Sequence, residues 1–336
     1  LFFRKTIFYF RFYFYFLSIL YFIKKLDLYN LILRNFFFIF IVLILDAMIQ
    51  FILGYNIIGM PIVTESRVSS FFGDELILGS YITRLLPFFL IFVYELNHKV
   101  FFKFIYLLGI VLVIILSGER TALFLLLLSI FIFFVSLEKL RLYLLYIFAL
   151  FMIIFVSLIN LNSDYYKRYY LNVVDGFGLI KTTGIKTTGN FKLNSLSIFD
   201  SNNNLDVNIF SKHYQDHYKS AYKIFKNNPV IGGGTKSFRY LCKKTEYKVS
   251  NISCSTHPHN ILMQFLSELG TIGLIFLICF HLLIGKDFIK ILKFKRDEKS
   301  KLYLAISLTG LIINIFPLIP SGNFFNNWLS IVFVLN

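Results

Sequence analysis

Two histidines bracket a proline in the run His257-Pro258-His259-Asn260, where a long polar segment gives way to an apolar stretch of membrane length. A neutral imidazole is the side chain best suited to take a proton near pH 7. Pro258 fits the first turn of a helix, where its missing N–H would have had no partner anyway. The free N–H groups and the dipole of such a helix end attract phosphate. Further in, Asn260, Gln264, Ser267, Glu268 and Thr271 recur at three- and four-residue steps. That spacing lays one polar stripe along a helix otherwise built of Leu, Ile, Phe and Met. Gly270 and Gly273 leave room for another helix to approach closely. A base at the water interface, on a helix whose polar stripe must face protein, has the layout of an active site at a membrane surface. His259 is the candidate base and His257 its competitor.

An anionic substrate needs fixed cations. Arg120 lies between two apolar runs in Ser117-Gly118-Glu119-Arg120-Thr121-Ala122, and Arg67 lies in the polar stretch Ser66–Glu75. Taken singly, each arginine reads equally well as a structural ion pair or as a side chain snorkelling to headgroups. Several of them converging on the side that holds His259 favour an anion site. The planar guanidinium fork suits this, because it can donate two hydrogen bonds to one phosphate. Lys236 and Arg239 follow Gly232-Gly233-Gly234-Thr235. Three glycines can bend backbone N–H groups around a phosphate, but a tight turn explains them as well, and no Lys-Ser/Thr completes a nucleotide loop. His213 and His217 are four apart and could ligate a metal, yet no third ligand is evident and a solvated helix face is favoured. No Asp-x-Asp pair occurs in the outer loops, and Asp74 and Glu75 are adjacent and would point apart. Neither a metal nor a cofactor is expected. Asp46, Arg84 and Glu268 fall inside apolar runs, where a charge needs a partner or water.

The elements that must position these groups are membrane helices. The 336 residues are 57% hydrophobic, with 43 Phe and 21 Tyr. Repeated apolar runs of about 20 residues exclude an ordinary soluble globule. The alternating segments of a β-barrel are absent. The resulting class is an all-α polytopic membrane protein with about 8–9 visible spans: 7–23, 31–53, 76–96, 100–116, 121–137, 142–161, 261–284, 301–319 and 324–336. Lys24, Lys25, Arg34, Lys99, Lys103, Lys139, Arg141 and the cluster from Lys286 to Lys301 alternate to one face. By the positive-inside rule that face is cytoplasmic, and 54–75, 117–120, 162–260 and 320–323 lie on the other; only Arg4 and Lys5 break the pattern. The chain therefore divides into spans 1–161, a large outer loop 162–260 and spans 261–336.

The formal charge of +16 is better explained by membrane anchoring and anionic lipids than by nucleic acid. The outer loop holds 14 Lys/Arg against six Asp/Glu; long loops are translocated largely regardless of charge. Within it, 176–206 is rich in Gly, Asn, Thr and Ser and reads as a flexible insertion without chemistry. Residues 211–227 read as a helix with Tyr214, Tyr218, Ala221 and Phe225 on one stripe, stopped by Asn227-Asn228-Pro229. Cys242 and Cys254 share this loop and would pair in an oxidising compartment. A first residue of Leu inside an apolar run, and a last apolar run that ends the chain, point to a fragment with further spans missing.

These residues resemble the signature of the bacterial O-antigen ligase and polymerase superfamily. The resemblance rests on His259-Asn260, nine residues, Gly270, two residues, Gly273, with three further pieces in order: 117–122, Asn-Pro-Val-Ile-Gly-Gly-Gly at 228–234 and Phe-Pro-Leu-Ile-Pro-Ser-Gly-Asn-Phe-Phe at 316–325. It covers roughly 54–330. It implies a glycosyltransferase-C-like inner-membrane enzyme with one large periplasmic loop. Such an enzyme takes a glycan from undecaprenyl pyrophosphate and passes it to lipid A–core, to another glycan, or to a protein. On that resemblance His259 is the essential base, Arg120 sits near the pyrophosphate, and Arg67 is carried over less directly. His257, Asn260, Lys236 and Arg239 become candidate substrate contacts. Gly232, Gly234, Gly270 and Gly273 become structural. The competing reading is a non-enzymatic transporter of anionic lipids, which lacks paired half-chain repeats with broken helices and leaves His259 unexplained.

Overall fold

The computed structural model describes residues 9–26, 29–64, 67–95, 100–171, 173, 212–293 and 297–335. The insertion at 176–206, the first residues of the chain and Lys295-Arg296 lie outside the described residues. Each apolar run becomes a helix: α1 (Phe10–Leu26), α2 (Tyr29–Leu53), α3 (Leu78–Glu95), α4 (Val100–Leu116), α5 (Arg120–Ser136) and α6 (Arg141–Leu161). Within the long segment 162–260 lies α7 (Lys212–Asn227), and after it come α8 (Ile261–Lys293), α9 (Glu298–Ile315) and α10 (Asn327–Leu335). A helix satisfies every internal N–H and C=O within itself, which lipid requires of any spanning segment. Among the described residues, four helices are long and apolar enough to cross a membrane: Asn30–Leu53, Leu78–Glu95, Glu138–Leu161 and Ile261–Lys293. Phe10–Phe22, Phe101–Leu116 and Arg120–Ser136 are apolar but shorter. No strand forms among the described residues.

α3 is the hub, packing on α9, α4, α5 and α2. One apolar cluster joins α2, α3 and α4 through Phe40, Ile82, Phe89, Ile110 and Ile114. A second joins α5, α8 and α9 through Phe133, Phe265, Leu277 and Leu308. In lipid, apolar burial does not by itself favour helix pairing, so close packing and interhelical hydrogen bonds hold the bundle. Arg84 supplies two of these: its Nη1 donates to the carbonyls of Ile313 and Asn314, each 3.0 Å away, tying α3 to the C-terminal end of α9. A cation there also complements the helix dipole. The many exposed aliphatic and aromatic side chains on α6 and on α8 from Ile272 onward are what a lipid-facing surface presents.

The buried Asp46, the first of the charges within apolar runs, organises a loop. It accepts from the backbone N–H of Ile57 at 2.9 Å and from the Ser70 hydroxyl. One turn on, Gln50 Oε1 accepts from the N–H groups of Ser69 and Ser70. Together they pin the segment between α2 and α3 that carries Arg67.

Two local expectations are corrected. Helix α8 begins at Ile261, not at Pro258. His259 adopts a left-handed backbone with φ +58°, which a helix cannot include, and Asn260 instead caps α8 by accepting from Met263 N–H at 3.0 Å. The second concerns α7, whose His217 is buried while His213 is exposed, so the pair is not a solvated face. His217 joins Tyr218, Ala221 and Ile224 on the side that packs against α8.

Candidate active site

A cavity of about 570 Å³ opens where the loop before α3, the start of α5, the residues after α6, α7, the segment before α8 and the loop before α10 converge. Its walls bring together Arg67, Arg84, Arg120 and Arg168 with His257 and His259. The volume is within the range of small-molecule sites.

The Ser117–Ala122 turn builds the cationic wall. Gly118, at φ +64°, reverses the chain. The Ser117 carbonyl accepts from Arg67 Nε at 3.4 Å, and the Gly118 carbonyl accepts from Arg168 Nε at 2.6 Å. Arg67 also donates to the Leu76 carbonyl at 2.7 Å. Glu119 also lines the cavity, and its carboxylate accepts from the N–H of Gly79 at 2.7 Å and of Ser80 at 3.3 Å, capping α3. Arg120 stands exposed at the cavity wall. Neutral carbonyls thus aim Arg67 and Arg168 without discharging them. Burial pulls both below the usual guanidinium range, Arg168 to about 10, and the nearby Arg67 and Arg120 push Arg168 in the same direction. Arg67 and Arg168 remain charged at neutral pH, and an anion placed beside them would relieve the repulsion.

Two histidines, His257 and His259, also line the cavity. His257 Nε2 lies 3.1 Å from the Ser321 carbonyl, which accepts only, so this nitrogen carries the proton. Its Nδ1 therefore accepts from the Thr256 hydroxyl at 2.9 Å. Both ring nitrogens of His257 are engaged. Neither nitrogen of His259 has a hydrogen-bond partner among the described residues. Its ring lies against those of His257, His217 and Tyr214, with centroids 4.0, 5.4 and 5.7 Å away. Its strained backbone is held by Ser321 N–H donating to the His259 carbonyl at 2.8 Å, and Asn260 Nδ2 donates to the Pro317 carbonyl at 2.8 Å. Positive φ in a non-glycine residue costs ~1–2 kcal/mol and persists only where surroundings enforce it. Burial lowers His257 to about 4. Burial first, and then the neighbouring imidazoles, lower His259 to about 3. Both rings are neutral at pH 7.

Lys236, Arg239 and Asn260 do not line this cavity. The Gly232–Gly234 turn packs instead into a break in α8 at Gly270, where φ is +66° and ψ −155°. Gly233 and Gly234 donate to the carbonyls of Ser267 and Glu268, 2.8 Å each. Glu268 accepts in return from the N–H groups of Lys236 and Phe238. Gly270 admits this loop, not another helix: a Cβ there would stand 2.4 Å from the Val230 carbonyl oxygen. A Cβ on Gly273 would strike only Leu269 of its own helix. Cys242 and Cys254 form a disulfide beneath the loop, with Cα atoms 5.2 Å apart. His213 and His217 bond to each other through Nε2 at 3.2 Å. Among the described residues no group of three metal-ligating side chains forms.

Arg168 and Tyr214 were not singled out from the sequence. Arg168 sits in the π-helical turn Lys167–Leu171, and its only signal was a basic pair directly after a span on the side of His259. Tyr214 looked like one member of an apolar stripe.

The apolar helices and their bundle fit a multi-pass membrane protein, with one cavity lined by both arginines and histidines. The family model described as O-antigen ligase matches residues 104–278, and the chain belongs to that family. Membership makes it a member of a glycosyltransferase-like superfamily whose partners are lipid-linked glycans and glycan acceptors. The matched span includes Arg120, Arg168, His257 and His259. No curated protein and no solved structure matches.

Proposed function

We propose that the protein is an inner-membrane O-antigen ligase that moves a glycan from undecaprenyl pyrophosphate to a hydroxyl of lipid A–core. The observation that carries the reading is the shared cavity, which His259 lines together with the guanidinium groups of Arg67, Arg120 and Arg168. In the proposed step the acceptor hydroxyl oxygen attacks the anomeric carbon and its proton passes to His259. The bond from that carbon to the pyrophosphate oxygen breaks, and the electron pair leaves with the lipid diphosphate. Attack opposite the departing group inverts the anomeric centre.

Pyrophosphate is already a good leaving group, so the larger requirement is stabilisation of its growing charge. Arg67, Arg120 and Arg168 supply it from positions fixed before substrate arrives, the condition under which such donors act most strongly. No metal is required in this scheme. The negative diphosphate would also lift the depressed His259 back toward neutrality, where a general base works best. His257 and Asn260 position His259 through the 317–321 segment. Lys236 and Arg239 take no part in binding the reacting groups. In this reading 1–161 and 261–336 supply the spans, 162–260 is the large periplasmic loop, and the cavity faces the periplasm.

The test is complementation. Expression in cells lacking the ligase should restore capped core on a lipopolysaccharide gel. Restoration of long chains in cells lacking the polymerase would instead assign another glycan as acceptor. Failure in both, with glycosylated protein appearing, would assign a protein acceptor.

A further inference from the structure

The loop that closes the break in α8 has a feature transfer does not need. Residues 229–234 are bonded to α8 on both sides of Gly270: Thr271 N–H donates to the Pro229 carbonyl at 2.8 Å and Ile272 N–H to the Val230 carbonyl at 3.3 Å. None of residues 261–270 of α8 is exposed, because α7 and this loop cover them. The exposed apolar face of α8 begins at Ile272 and continues through Ile275, which is 60% exposed, and Phe276. At that level the loop tip presents Val230 and Ile231, the latter 69% exposed. Two adjacent aliphatic side chains with no packing role inside the protein extend the lipid-facing surface of the span onto the loop.

The chemistry on α7 agrees. Lys219, Tyr222, Lys223 and Lys226 recur at three- and four-residue steps and are all exposed. The Lys226 ammonium stands over the Tyr222 ring, 5.3 Å from its centroid. Lysines beside an aromatic ring, immediately next to an aliphatic tip, form the pattern of a segment seated at the headgroup boundary. Basic residues there attract anionic lipids.

We infer that the Val230–Ile231 tip is embedded in the leaflet on the His259 side of the membrane, with Lys223 and Lys226 at anionic headgroups. The occupant of this surface is lipid. The anchor also bears on the cavity: Gly270 lies ~14 Å along α8 from Ile261 at 1.5 Å per residue, and His259 precedes that end of the helix.

The experiment uses the full chain in lipid nanodiscs, with Cys279→Ser removing the free cysteine. Nitroxide labels are placed at Ile231→Cys, at Ile275→Cys as the lipid-facing reference, and at Lys244→Cys as the exposed reference. Accessibility to oxygen is compared with accessibility to a water-soluble nickel chelate. The 231 label should resemble the 275 label, with an oxygen-to-nickel ratio several-fold above that at 244. It should move deeper when phosphatidylglycerol replaces part of the phosphatidylcholine, and Lys223→Ala/Lys226→Ala should abolish that shift. A 231 label resembling the 244 label would overturn the inference. So would one shielded from both reagents, which would mean coverage by protein or a second copy. Equal depth in neutral and anionic discs would overturn the role of the lysines.

Discussion

The cavity and the joint at Gly270 are built from the same kinds of residue, and they put them to opposite use. At the joint, a buried carboxylate, a glycine-rich turn and a helix break satisfy one another: Glu268 receives the Lys236 and Phe238 N–H groups, and the Gly233 and Gly234 N–H groups reach helix carbonyls. Donors there that looked fit for a phosphate have protein partners. In the cavity the local hydrogen bonds orient groups without neutralising them. Arg67 and Arg168 rest on carbonyls, Glu119 caps α3 from the cavity wall, and His259 keeps both nitrogens free of partners among the described residues. A buried polar cluster that completes itself stabilises structure. One that leaves charge directed into a void can bind and react.

Substitutions should separate the two regions. The largest effect is expected from Gly270→Ala or Gly232→Ala. A Cβ on Gly232 would stand 2.5 Å from backbone atoms of α8, and the Gly270 conformation is one that essentially only glycine adopts. Destabilisation of more than ~3 kcal/mol is expected from the clash and strain together. Thermal unfolding in detergent would register it, with Gly285→Ala, which meets nothing within 4 Å, as a neutral control. Wild-type stability in Gly270→Ala would mean that the joint is not rigid.

The cavity should behave the other way. Arg168→Ala should leave the unfolding temperature close to wild type and lower glycan transfer by ~10²–10³-fold, the usual loss when one charge-stabilising donor is removed. Arg168→Lys should recover only part, since an ammonium lacks the planar fork. Arg239→Ala should affect transfer far less than Arg168→Ala. The reverse order in steady-state assays would move the anion site toward the joint.

The smallest effect is on pH dependence. The folded-state values of His257 and His259, about 4 and about 3, lie below the ordinary 6.5. Between those limits the unfolded chain binds more protons, so folding stability rises with pH there. Their contribution is fully present above about pH 6.5 and is lost as the pH falls through the folded values. The acidic limb of kcat/KM should likewise lie below that of an ordinary imidazole. Replacing His217, which lies against His259, should move that limb upward. A limb at or above the ordinary value in wild type would mean that His259 is solvated.

Much of the helical scaffold was legible because apolar runs are written into composition: each predicted run holds a helix among the described residues, and four of these are long and apolar enough to cross a membrane. That His259 and Arg120 would meet, as they do in one cavity, was legible because both stand next to such runs, where a polar side chain has few structural reasons to be. Arg168, Tyr214 and the capping role of Glu119 were not. Each depends on contacts between distant segments, and neither periodicity nor residue type announces that Gly118 will meet Arg168, or that Glu119 will cap a helix 40 residues upstream. The glycine triplet was ambiguous for the same reason, since its partner, the break at Gly270, lies outside its own stretch of chain.

The most direct measurement compares His259→Ala with His257→Ala in a transfer assay using lipid-linked donor, with donor binding measured in parallel. His259→Ala is predicted to bind donor normally and to transfer ~10²–10⁴-fold more slowly, the range for loss of a positioned general base. His257→Ala, which loosens the Ser321 tether, should transfer less well than wild type but better than His259→Ala. Wild-type transfer by His259→Ala, or loss confined to His257→Ala, would contradict the assignment of the base.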